Sequence, residues 1–72
     1  MTIRLNSIIK MCNQISDNIG HHLTPIQAAD KVVNHLTLFW AKSMKAQLIQ
    51  YYQNDGAELN DISKLAVEKL SQ

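Results

Sequence analysis

One cysteine, one proline, one tryptophan, one phenylalanine and two glycines are all that the 72 residues contain of the types that most constrain a fold. Each scarcity excludes something. A lone Cys12 cannot form an intrachain disulfide, and no second cysteine stands at a spacing that would complete a Cys/His zinc pattern. No apolar run approaches the roughly eighteen residues that a membrane-crossing helix needs, so no membrane span is expected. Nor does an apolar segment follow Arg4, because Asn6, Ser7 and Lys10 interrupt it. Without a visible export signal the expected compartment is the cytoplasm.

Charge of one sign is also missing. Seven basic residues against six acidic ones give a net charge of +1, and the lysines are spread from Lys10 to Lys69. Release of counterions from nucleic-acid phosphates needs a concentrated basic surface, so nucleic acid is not the expected partner. What the chain does have is 46% apolar residues, too many for a disordered tail. Residues 1–72 therefore read as a single domain, near the lower limit of self-sufficiency. A domain this small buries only about 60% of the surface its unfolded chain exposes, leaving a few kcal/mol unless a disulfide, a metal or a partner helps. With the first two excluded, a partner remains.

Hydrophobic spacing predicts four short helices and an all-α bundle. Leu5, Ile8, Cys12, Ile15 and Ile19 recur at three and four, widened by Ile9 and Met11, which predicts a helix from about Ile3 to Ile19. Gly20 is its expected left-handed stop. Thr24, Pro25 and Gln27 form a capping-box start for a second helix to Phe39 or Trp40, with Ala29, Val32, Val33, Leu36 and Trp40 inward. A break or bend is expected near Ala41 to Ser43, where Ser43 is a candidate cap, although nothing in the sequence there forbids a continuous helix. Met44, Leu48, Tyr51 and Tyr52 carry a third helix to the turn signal Asn54, Asp55, Gly56. Asn60 caps a last helix to Leu70, with Ile62, Leu65, Ala66 and Leu70 inward and Lys64, Glu68 and Ser71 outward. Asp61 and Lys69 suit its dipole. No strand alternation, internal repeat or low-complexity stretch is evident.

Chemistry is hard to place on this frame. His21 and His22 follow Gly20 in a loop, His35 flanks the core, and no acidic residue or cysteine shares a helical spacing that would complete a metal site. Cys12 lies in the apolar stripe, where a thiol behaves as a small hydrophobe with a raised pKa rather than as a nucleophile. Asp55 and Glu58 flank a glycine turn, and Glu68 pairs with Lys64 at a four-residue spacing. There is no glycine-rich phosphate loop and no Ser/His/Asp set, so the chain is not expected to be an enzyme or to bind a cofactor. A helix-turn-helix formed by the second and third helices would expose Gln47, Gln50 and Gln53 with only two lysines, a poor DNA surface. An interaction role is left. Ile49 and Tyr52 lie to one side of the Met44, Leu48 and Tyr51 stripe, a side that either packs inside a tight four-helix domain or stays in water unless another chain covers it.

Three blocks in fixed order then suggest a family. KMCNQI at Lys10 to Ile15, HLxxFW at His35 to Trp40, and Met44, Lys45 and Leu48, followed by a glycine turn and a short amphipathic helix, resemble the delta subunit of NAD-dependent, molybdenum-containing formate dehydrogenases. The resemblance covers nearly the whole chain. It implies a small accessory subunit, free of cofactors itself, that binds the large catalytic subunit and supports its assembly or stability. The family's W-x-P-R-M pattern is replaced here by Lys42 and Ser43, and Asn18 and Ile19 stand where aromatic residues are common. Asn13, Gln14, His35, Phe39, Trp40, Met44 and Lys45 match. Phe39 and Met44 are expected in the core. Asn13, Gln14, Trp40, Lys45, Ile49 and Tyr52 are the expected partner-binding residues, Asn13, Gln14 and Lys45 because folding gives them little reason to be there. The alternative is a free-standing helical homodimer or a small regulatory protein, with DNA as one conceivable target.

Overall fold

The computed structural model describes residues 4–72, so the expected helical start at Ile3 lies outside the described residues. Four α-helices account for most of them: α1 Leu5–Ile19, α2 Pro25–Phe39, α3 Lys42–Asn54 and α4 Asp61–Leu70, with a single turn of 3₁₀ helix at Gly20–His22. No strand occurs among the described residues. The radius of gyration is 11.0 Å, against about 11 Å expected for a compact domain of this length. All four helices therefore share one core.

The local signals act as their chemistry requires. Thr24 Oγ1 accepts from the Gln27 amide while Gln27 Oε1 accepts from the Thr24 amide, both at 3.2 Å, and Pro25 occupies the first helical position without losing a hydrogen bond. Asn60 Oδ1 caps α4 by accepting from the Ser63 amide at 2.8 Å. Gly56, at φ 72°, supplies the left-handed residue of the turn after α3.

Two expected signals act differently. Gly20 is right-handed, at φ −74°, and its amide donates to the Ser16 carbonyl, so α1 runs on into the 3₁₀ turn instead of stopping on a left-handed residue. The benefit of glycine there is space, because a Cβ would lie 2.7 Å from Ile62 Cδ1. Ser43 is not a cap. The N-cap of α3 is Ala41, which has no side-chain acceptor, and Ser43 is exposed within the first turn beside Lys42.

The core is built where α1, α2 and α4 meet, with α2 and α4 making the most extensive pairing. Ile8 and Cys12 from α1, Ala29, Val32 and Leu36 from α2, Leu48 from α3, and Ala66 and Val67 from α4 are buried, and Leu59 closes the cluster from the α3–α4 loop. Small residues let these helices approach closely. Ser16 and Ser63 are fully buried between α1 and α4, their hydroxyls 2.6 Å apart. Ser16 Oγ also donates to the Cys12 carbonyl at 2.9 Å, so its single proton is used and the Ser63 hydroxyl donates to it. On α4 the buried side chains are thus Ser63, Ala66 and Val67, while Ile62, Leu65 and Leu70 are only half-buried against the cluster. The expected inward stripe of α4 is rotated, because the face that meets α2 and α1 decides burial.

Phe39 corrects the reading of the second block more sharply. It is 72% exposed, and Leu38 is 66% exposed. The last turn of α2 projects past the last core residue of that helix, Leu36, and the chain changes direction at Trp40. Met44 does pack against the core, and Trp40 is half-buried against it.

Unfolding in urea should separate the two glycines. Gly56→Ala should lose about 1–2 kcal/mol through the left-handed backbone, whereas Gly20→Ala, opposed only by the flexible tip of Ile62, should change stability by less than about 1 kcal/mol. An equal loss at both positions would contradict this assignment.

Candidate partner-binding surface

Asn13 projects from α1 toward the α3–α4 loop and is fully engaged there. Its Oδ1 accepts from the Asn60 amide at 2.9 Å, and its Nδ2 donates to the Glu58 carbonyl at 2.8 Å. Asn60 Nδ2 in turn donates to Asp17 Oδ1 at 3.2 Å, and the Tyr51 hydroxyl accepts from the Glu58 amide at 3.0 Å. A donor and an acceptor are both needed at Asn13, on one side chain of this length, which a carboxylate cannot provide. The expectation that Asn13 has little folding reason to be there is therefore corrected: it holds the loop that starts α4. Gln14, the next residue, is exposed and makes no such bonds among the described residues, and it lines an open groove of about 350 Å³ with Lys10, Asp17 and Glu58.

The other expected contact residues lie elsewhere. Lys45, Ile49 and Tyr52 follow one another along one side of α3 at four and three residues, all half-buried. Lys45 and Ile49 line a second groove, also about 350 Å³, with Thr37, Lys42, Ala46 and Leu70. Tyr52 packs beside Gly56, where an added Cβ would meet its Cδ1 at 3.1 Å. Trp40 caps α2, its amide donating to the Leu36 carbonyl at 3.0 Å. The six residues thus divide between two grooves that share no lining residue and two positions at helix ends.

Leu38 and Phe39 are the surface feature that periodicity did not single out. Leu38 stands two residues from buried Leu36, hence on the opposite side of α2, and its place off the inward stripe was the signal available. The Phe39 ring has His35 for a neighbour, with centroids 4.9 Å apart and planes tilted by 46°. Ile26, at the other end of the helix, is 62% exposed.

Groups with intrinsic reactivity are few. Cys12 is buried, and desolvation raises its thiol pKa. The histidines His21 and His22 are exposed, with ring centroids 6.4 Å apart. Among the described residues no group of three or more His, Cys, Asp or Glu side chains is placed to hold a metal ion. The described helices also include none long and apolar enough to cross a membrane.

The family model of the NADH-dependant formate dehydrogenase delta subunit, FdsD, matches residues 7–67. The chain belongs to this family. The match runs from the first turn of α1 into α4, so it includes both grooves' central residues, the Asn13 junction and the exposed end of α2. Searches of curated proteins and of solved structures give no match. Membership in the FdsD family makes the chain a delta subunit of a formate dehydrogenase complex, and so one that associates with other subunits.

Two measurements test these assignments. Asn13→Ala should lose about 1–3 kcal/mol of unfolding free energy with its two hydrogen bonds, while Gln14→Ala stays within about 0.5 kcal/mol; the reverse order would place the folding role at the wrong residue. Cys12 should resist alkylation by iodoacetamide at pH 8 in the native chain and react once urea unfolds it, because the buried thiol remains protonated. Rapid native labelling would contradict that burial.

Proposed function

We propose that the chain is a non-catalytic accessory subunit of a cytoplasmic, molybdenum-containing, NAD-dependent formate dehydrogenase. It binds the large catalytic subunit through the end of α2 and the start of α3 and supports assembly or stability of that subunit. The observation that carries the reading is the exposure of Phe39 and Leu38, 72% and 66%, within the block that carries the family resemblance. Burying a large apolar side chain is worth about 1.5–3 kcal/mol, and the isolated chain forgoes that at both positions. A partner that covers them recovers it. Trp40 beside them is half-buried in the free chain and offers the rest of its ring to the same contact.

Family membership supports the assembly part of this reading. Asn13 belongs to the folding machinery, and of the other expected contact residues Trp40, Lys45 and Ile49 lie nearest in sequence to the exposed end of α2.

The test is co-expression of the tagged chain with the catalytic subunit. Phe39→Ser should weaken the complex by about 2 kcal/mol or more, the scale of an interface hot spot, with the thermal midpoint of the free chain unchanged. Trp40→Ala should lower complex yield more than Lys64→Ala. Undiminished recovery of the Phe39→Ser complex would refute the docking face, and a free chain that pairs with itself through Phe39 would favour the homodimer.

A further inference from the structure

The groove between α3 and the ends of α2 and α4 is lined by Thr37, Lys42, Lys45, Ala46, Ile49 and Leu70. Its floor is apolar, from Ile49, Ala46 and Leu70, and both of its charged groups are lysines. No acidic side chain lines it. Among the described residues the lysine that does find a carboxylate is Lys69, 2.9 Å from Asp30, and neither Lys42 nor Lys45 has such a partner. Lys45 is also half-buried, so its stem lies along the protein while its ammonium stays at the groove.

An open groove of about 350 Å³ does not enclose a small molecule, which ordinarily needs most of its surface buried. It is wide enough for a few side chains of an extended or helical segment. Two cations above an apolar floor select such a segment by chemistry: apolar side chains for Ile49 and Leu70, and carboxylates within reach of Lys42 and Lys45. Two lysines are too few to track a nucleic-acid backbone.

We infer that this groove receives an acidic, amphipathic segment of the catalytic subunit, its apolar side chains on Ile49, Ala46 and Leu70 and its Asp or Glu side chains paired with Lys42 and Lys45. The inference rests on the proposed accessory role and names the chemistry of one of its contacts. Thr37 lies in the same last turn of α2 as Leu38 and Phe39, so the groove adjoins the exposed apolar end of that helix in sequence.

The test uses the purified complex of this chain with the catalytic subunit. A carbodiimide joins amines to carboxylates only when they touch, so treatment followed by peptide mass spectrometry should join Lys42 or Lys45 to an Asp or Glu of an amphipathic segment of the catalytic subunit. The double variant Lys42→Glu/Lys45→Glu should raise the dissociation constant about tenfold or more and weaken its dependence on salt, with Lys31→Glu as the exposed control. Circular dichroism of the free variant checks that it folds. A complex that forms without these cross-links, and with unchanged affinity in the double variant, overturns the groove assignment and leaves the accessory role standing. Failure of any complex to form overturns both. Cross-links from Lys42 or Lys45 to carboxylates of a second copy of this chain also overturn it, assigning the groove to self-association.

Discussion

The amide of Asn13 joins the first helix to the loop that launches the last one, and the placement of α4 depends on that junction. Its two hydrogen bonds, to the Asn60 amide and the Glu58 carbonyl, fix where α4 begins. Asn60 then caps the helix through its side-chain oxygen and reaches back to Asp17 through its nitrogen. Once α4 starts there, Ser63 falls opposite Ser16 and Val67 enters the core, and α4 lies along α2. Two chain segments more than forty residues apart are thus joined by one side chain that is neither charged nor apolar. The geometry needs a donor and an acceptor on separate atoms, which the carboxamide of asparagine places side by side.

That alignment produces a core of aliphatic and small residues with no aromatic ring fully inside it. Ile8, Val32, Leu36, Leu48 and Val67 fill it, and alanines and serines let the helices come close. The serine hydroxyls are tolerated because each is hydrogen-bonded, and no buried side-chain polar atom among the described residues lacks a partner. The consequence for function is outside the core. Phe39 and Leu38 are left exposed at the end of α2, and Trp40, Tyr51 and Tyr52 are half-covered. A chain of this size has little stability to spare, and large rings held at its edge are surface that another subunit can bury.

How much was legible in the chain depended on the range of the interaction. The Thr24–Gln27 box, Pro25, the Asn60 cap and the Gly56 turn were readable because each acts within a few residues. The buried Cys12 was readable from its place in a regular stripe. The family could be recognised from short blocks in order, and the family match over residues 7–67 agrees with that recognition. The folding role of Asn13, by contrast, was not readable because its hydrogen-bonding partners lie 45 and 47 positions away.

Helix periodicity and local capping by themselves determined the all-α class and most helix limits, since these follow from side-chain spacing, while the break between α2 and α3 had no cap to mark it. Tertiary structure decided which side of each helix is covered. Gly20 serves space against Ile62 instead of a left-handed stop, Ser63 and Val67 are buried in place of Ile62 and Leu70, and Phe39 stands in solvent though its block suggested the core. Burial depends on what lies across a helix and where the neighbouring helix ends, and neither is encoded in the spacing along one helix.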